Sequence, residues 1–229
     1  MNAAHQDKPK TIVITGASQG VGLALTQLLA TRGWHIHAQY RSAIPELDAD
    51  IAQHITWWQA DFSRGDSIAI PQVDTVDALI HCAGVAVLGA CAHTAHEQWA
   101  QHMNINFHAP INLTNALLPQ LRHARGHVVY INSGAGLHTH PQWGAYSASK
   151  HAARAWCEAL RQEEPQLRVS SIYPGRIDTQ MQRSIFAQEG KEYHADSFLR
   201  ADTVAKSILH LLDTPHDGVI HDLMIRPHN

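Results

Sequence analysis

The chain has 229 residues, 45% of them hydrophobic, with a formal net charge of −3 and 19 histidines. That apolar share supports a substantial core, and with no break in composition the chain reads as one domain, 10–229, behind a loose polar tail, 1–9. The charge shows no basic patch of the nucleic-acid-binding kind, no apolar run approaches the ~18 residues of a membrane span, and the tail lacks a signal-peptide core.

The first predicted element is the β-branched run Lys10–Thr15, which reads as a buried parallel strand. It enters Gly16-Ala17-Ser18-Gln19-Gly20-Val21-Gly22, and the apolar positions Val21, Leu23, Leu25, Leu28 and Leu29 then make a helical stripe over 20–32. Strand, glycine turn and helix form a nucleotide-binding unit. Gly16 permits the tight turn, Gly20 lets backbone approach a pyrophosphate, and Gly22 lets the helix pack on the strand. The helix N-terminus supplies amide donors and partial positive charge. The spacing Gly-x-x-x-Gly-x-Gly departs from the Gly-x-Gly-x-x-Gly fingerprint of the familiar dinucleotide folds.

Strands are then predicted over Trp34–Tyr40, Ile55–Ala60, Asp77–Cys82, Gly126–Ser133, Leu167–Tyr173 and Gly218–Ile225. Helices alternate with them, roughly over 94–103, 107–123, 147–163 and 202–213. The alternation implies a mostly parallel sheet with helices on both faces and ligands at the carboxyl ends of its strands. The segment 180–200 has weak periodicity and mixed polarity. His93 and His96 do not follow the His-Glu-x-x-His order of zinc hydrolases and read as solvated, so no metal site is expected. Cys82, Cys91 and Cys157 lack metal-type spacing and read as reduced thiols of a cytoplasmic protein.

Tyr146 and Lys150 stand four apart on one helix face, with Ser133 thirteen residues upstream of the tyrosine. A tyrosine titrating near ~10 is a poor proton shuttle at neutral pH. A lysine ammonium ~6 Å away, at an effective dielectric of ~20, favours the phenolate by about 3 kcal/mol, or roughly 2 pKa units. Such a tyrosine can act as general acid or base.

Thr-Gly-x-x-x-Gly-x-Gly followed by Ser and Tyr-x-x-x-Lys resembles the short-chain dehydrogenase/reductase family, in its small single-domain, NADP-preferring branch, from Lys10 to Pro227. The resemblance implies a Rossmann-like, doubly wound sheet of about seven strands in the order 3-2-1-4-5-6-7. It also implies an NADP(H)-dependent oxidoreductase that interconverts a carbonyl and an alcohol. Ser133 would orient the carbonyl oxygen and Tyr146 would protonate it. Lys150 would bind the nicotinamide ribose, and Asn106 would anchor a proton-relay water; Asn104 competes for that place, and Asn106 is preferred because Ala109 then falls at a small-residue position.

The implied cofactor contacts are Gly16, Ser18, Gln19, Gly20, Val21, Gly22, Tyr40, Arg41, Ser42, Asp61, Phe62, Cys82, Ala83 and Gly84. Tyr146, Lys150, Pro174, Gly175, Ile177 and Thr179 complete the set. Tyr40 stands where NAD-preferring relatives carry an acidic residue, and Arg41 beside it suits a 2′-phosphate. The family's Asn-Asn before Ala83-Gly84 is here His81-Cys82, which puts a strand-tethering role in doubt.

By the same resemblance, 180–200 is a substrate lid with Met181, Ile185, Phe186 and Phe198 as wall candidates, and His138 and His140 fall in the substrate loop. The helices near 107–123 and 147–163 would pair with symmetry mates in a homodimer or homotetramer. A non-catalytic NADP(H)-binding sensor is the alternative function. The sugar-nucleotide epimerase branch has another glycine spacing and a longer C-terminal part.

Overall fold

The computed structural model describes residues 9–64 and 68–228, so nearly all of the expected tail, 1–9, lies outside the described residues. Seven strands form one parallel sheet in the order β3-β2-β1-β4-β5-β6-β7. They are β1 Thr11–Thr15, β2 His35–Tyr40, β3 Ile55–Gln59, β4 Ala78–His81, β5 His127–Ile131, β6 Arg168–Pro174 and β7 Asp222–Ile225. The helices are α1 Gly20–Ala30, a single turn α2 Ala49–Ala52, α3 His96–Met103, α4 Ala109–Ala124, α5 Gly144–Glu163, α6 Gln180–Glu189 and α7 Ala201–Asp213. The expected topology is observed.

Side chains alternate across a strand, so each strand feeds two layers. Ile12 and Ile14 of β1 pack with Leu25 and Leu29 of α1 and with Val204, Ile208 and Leu211 of α7. Val13, Leu79 of β4, Val128 and Tyr130 of β5 face the other way, onto Leu113, Leu117 and Leu121 of α4 and Ala153 and Cys157 of α5. Burial of each such leucine stabilises by about 1.5–3 kcal/mol. The core therefore sits on both faces of β1, β4 and β5, and their carboxyl ends are held rigid beneath the site.

Several element ends differ from expectation, each for a local reason. Helix α5 begins at Gly144 instead of 147, which brings Tyr146 inside its first turn. Strand β5 stops at Ile131, and Ser133 instead caps a 3-10 turn, Gly134–Gly136, by accepting from Ala135 N at 3.1 Å. Helices α3 and α4 are joined by one π-helical turn, Asn104–His108, instead of a break. Strand β7 is four residues long, shorter than the expected Gly218–Ile225. The weakly periodic stretch after β6 contains α6; only Gln182 and Ile185 of it are buried, too few to write a stripe.

Candidate active site

The glycine turn wraps the carboxyl end of β1. Gly16 has φ +64°, a left-handed conformation that glycine alone adopts without strain, and a Cβ there would stand 2.8 Å from the backbone of Ala83. Gly22 is the closer constraint: a Cβ would lie 2.2 Å from the carbonyl oxygen of Gly16. The turn and α1 are thus in backbone contact. No side chain caps the N-terminus of α1, and its first turn holds no acidic residue. That is the electrostatic setting a pyrophosphate requires.

Neighbouring strands brace this turn through residues whose part was not legible beforehand. Gln39 accepts from Gly16 N at 2.7 Å and donates to Ala60 O at 2.6 Å, fastening the turn to β2 and β3. Thr15 Oγ1 accepts from both Cys82 N and Ala83 N at 3.1 Å. It thereby makes a side-chain tether between β1 and β4 at the point where His81-Cys82 replaces the expected asparagines. His81 itself bonds Thr114 of α4 at 2.9 Å and is held neutral by burial, its pKa pushed down to about 3. Burial pushes the Cys82 and Cys157 thiols up to about 12, so neither is a nucleophile.

At the far side of the turn, Gly20 faces Thr179, whose Cγ2 would be 3.3 Å from a Cβ at Gly20. Thr179 caps α6 by accepting from Gln182 N and donates to Ile177 O, both at 3.3 Å. Ser18 and Gln19 complete the turn, with Val21 buried beneath it, and Pro174 ends β6 before Gly175. Gly84 lies at the meeting point: a Cβ there would be 3.3 Å from Asn106 Oδ1 and 4.0 Å from Lys150 Nζ and from Met181 Cε. The glycine turn, the segments that follow β4 and β6 and the Tyr-Lys helix therefore lie side by side.

At the carboxyl end of β2, Arg41 and Ser42 are exposed, whereas Tyr40 is half-buried with its ring edge-on to Trp57 at 6.1 Å. The Asp61 carboxylate accepts from Ser63 N at 2.9 Å, and that bond holds its pKa below the ordinary value. Phe62 is buried against Ala60, Ile105 and Ala109, so its side chain serves packing.

Tyr146 is buried with its ring 5.7 Å from that of Trp143 and 6.4 Å from that of His102. Burial raises its pKa, and a hydrogen bond from Ser133 opposes part of that rise. This departs from the helical-spacing argument. Lys150 Nζ stands 5.9 Å from the Tyr146 ring centroid but donates to Ile131 O at 2.8 Å and to the Tyr130 hydroxyl at 3.1 Å. The lysine stem passes toward β5, and burial pushes the ammonium down to about 7. Spacing places two residues on one face; it does not aim a flexible side chain.

Asn106, in the π turn, clamps the segment after β4. Its Oδ1 accepts from Val85 N at 2.9 Å, and its Nδ2 donates to Val85 O at 3.0 Å and to Ser149 Oγ at 2.9 Å. Asn104 instead donates to Ser63 O. Asn132 accepts from Ser133 N at 2.8 Å and donates to Lys150 O at 3.2 Å, which sets Ser133 against α5.

Ile185 of α6 packs with Ala86, Ala135 and Tyr146, and Met181 reaches toward Gly84, so both wall candidates border the site. Phe186 and Phe198 do not; with Tyr193 they form a separate aromatic cluster, ring centroids 5.0–5.4 Å apart. His138 and His140 are exposed on the loop before α5. Among the described residues no three His, Cys, Asp or Glu side chains come together as a metal cluster.

Fold and glycine turn together define an α/β protein of the doubly wound, nucleotide-binding kind, with its candidate site at the strand ends. A family model described as short chain dehydrogenase matches residues 10–190, and the chain belongs to that family. The chain is 34% identical to a 3-ketodihydrosphingosine reductase of Bacteroides thetaiotaomicron, across 85% of this chain and 75% of that one. It is 30% identical to glycine betaine reductase ATRR of Emericella nidulans across 95% of its own length, but spans only 19% of that much longer protein. Among solved structures it resembles an alcohol dehydrogenase of the archaeon Thermococcus sibiricus complexed with 5-hydroxy-NADP, with a TM-score of 0.81 and 23% identity over 96% of this chain and 97% of that one. That last likeness speaks to the fold alone. No helix among the described residues is long and apolar enough to cross a membrane.

Proposed function

We propose that the protein is an NADP(H)-dependent oxidoreductase interconverting a carbonyl and an alcohol on a small molecule. One observation carries the reading: Asn106 Oδ1, Lys150 Nζ and Met181 Cε all come within 4.0 Å of the position a Cβ on Gly84 would take, just past the carboxyl end of β4. The cradle fits a dinucleotide, because Gly16 and Gly22 leave no room for a Cβ and α1 meets the ligand without an acidic residue.

Bound NADPH supplies the hydride. Tyr146 holds the proton for the carbonyl oxygen, and its burial keeps it in the acid form until that oxygen gains charge. Ser133 orients the same oxygen by a hydrogen bond. Lys150 binds the nicotinamide ribose and stabilises the phenolate left behind. The Asn106 amide keeps the Val85 backbone, and with it the cleft wall, in register. The segment 180–200 serves as the lid, hinged where Ile177 bridges Leu199. The proposed assembly is a homodimer or homotetramer through the outer faces of α4 and α5, and the described residues are taken to form a single domain.

Cofactor choice tests the reading. An Arg–phosphate contact is worth about 1.5–3 kcal/mol, so kcat/KM should favour NADPH over NADH by at least about tenfold. Tyr40→Asp with Arg41→Ala should reverse the preference. Equal use of both cofactors by the wild type would remove Arg41 from the phosphate site. Complete absence of turnover with a panel of aldehydes and ketones, despite NADPH binding, would favour the sensor.

A pH profile follows from the Lys150 environment. The ammonium is the form that donates to the ribose and supports the phenolate. With its pKa pushed down to about 7, that form is lost as pH rises through neutrality. The kcat/KM for NADPH, which reports the free enzyme, should therefore fall on an alkaline limb near pH 7. A limb near the ordinary lysine value of ~10 would show that Lys150 is solvated in solution.

A further inference from the structure

Tyr130 is among the largest fully buried side chains of the molecule, and three directed contacts converge on it. Lys150 Nζ donates to its hydroxyl at 3.1 Å, the same ammonium lies 4.6 Å from its ring centroid, and its hydroxyl donates to the carbonyl oxygen of Asn106. The phenol thus uses both its donor and its acceptor, as a buried tyrosine must. Residue 130 stands three before Ser133 and twenty before Lys150, so no helical or turn spacing announces the contact. It exists because β5 places the face that carries Val128 and Tyr130 against α4 and α5.

We propose that Tyr130 is a positioning residue for Lys150. Its hydroxyl and ring face hold the ammonium in one orientation, and its hydroxyl ties that ammonium to the Asn106 carbonyl. A lysine ammonium has three donors. Tyr130 and the Ile131 carbonyl take two, which leaves one for a cofactor hydroxyl. A single free donor on a clamped head group is preorganised; on an unclamped one it must be ordered at each encounter.

The groups facing this pair come from three elements. Besides Tyr130, they are His81 of β4 with Cys82 just after it, Tyr146 and Cys157 of α5, and the uncharged Asn106 of the π turn. Burial keeps His81 and both thiols neutral near pH 7, and it raises Tyr130 well above the ordinary tyrosine value. No carboxylate is among these groups, so the charged lysine depends on dipoles. Removing the Tyr130 hydroxyl leaves a buried N–H unpaired, which disfavours the ammonium and lowers the lysine pKa.

The kinetic part of this inference rests on the oxidoreductase reading; the contact itself is tested without turnover. The chain has five lysines, Lys8, Lys10, Lys150, Lys191 and Lys206. In protein labelled with 13C at lysine, the Lys150 resonance is the one missing from Lys150→Met. Its titration in Tyr130→Phe, which keeps the ring and the volume, should move about one pH unit lower than in wild type. Tyr130→Leu, which also removes the ring face, should move it further. The alkaline limb of kcat/KM should move with it, while the thermal midpoint identifies folded samples.

An unmoved Lys150 titration in folded Tyr130→Phe overturns the proposal. A shifted titration with an unmoved kinetic limb overturns its catalytic half. A wild-type protein without NADPH-linked turnover overturns the oxidoreductase reading, while the titration still decides whether Tyr130 governs Lys150.

Discussion

Tyr146→Phe should lower kcat by about 10²–10⁴ while NADPH affinity stays within a few fold, because general acid catalysis is typically worth that much. The substitution removes the transferable proton and the acceptor of the Ser133 hydrogen bond, but keeps the ring that packs on Trp143 and His102. Folding should therefore survive. Burial raises the Tyr146 pKa, so the protonated form is the resting one and no other phenol can substitute: Tyr130 is committed to Lys150 and Asn106. Stopped-flow measurement of NADPH consumption, paired with fluorescence titration of NADPH binding, separates the two effects. Near-normal turnover in this variant would remove Tyr146 from the mechanism.

Gly22→Ala should damage both stability and cofactor binding. The new Cβ would stand 2.2 Å from Gly16 O, 2.8 Å from Gly16 C and 3.1 Å from Ala17 Cα. All three are backbone atoms, so no rotamer change relieves the overlap, and either α1 or the turn must shift. Overpacking of this kind costs about 1–3 kcal/mol. The gain in helix propensity from glycine to alanine offsets at most about 1 kcal/mol, and the clash wins because the shift also displaces the Gly16 N–H from Gln39.

A fall in the thermal midpoint of several degrees is expected, at roughly 2–4 °C per kcal/mol for a chain of this size. NADPH Kd should rise at least about tenfold, since misplacing the amide cradle costs one or more charge-assisted hydrogen bonds. Gly218→Ala is the control, because the nearest atom to its Cβ is 3.7 Å away. If both variants bind NADPH alike, the turn does not contact the cofactor.

What the chain revealed as a sequence was local. The run Thr11–Thr15, the turn from Gly16 to Gly22 and the stripe through Leu25 and Leu29 each declare themselves within one element, because strand and helix periods act over a few residues. The Tyr146 and Lys150 spacing is of the same kind, and the alternation of elements was enough to reach the parallel sheet, whose strand order only the family resemblance implied. Helix α6 was hidden for the converse reason: a helix that buries only Gln182 and Ile185 leaves no apolar stripe to read.

The tertiary structure decided every contact that crosses the sheet. Gln39 reaches Gly16 over 23 positions, Thr15 reaches Cys82 over 67, and Asn106 reaches Ser149 over 43. Strand register brings these pairs together, as where Thr15 stands beside His81 and Tyr130 beside Ser171. It also decided the direction of Lys150. Helix geometry places its Cα one turn from Tyr146, but its four-carbon stem ends where buried acceptors are available, at Tyr130 and Ile131 of β5. A buried ammonium goes to the oxygens that can receive its hydrogen bonds, and a sequence does not show which oxygens those are until the strands have paired.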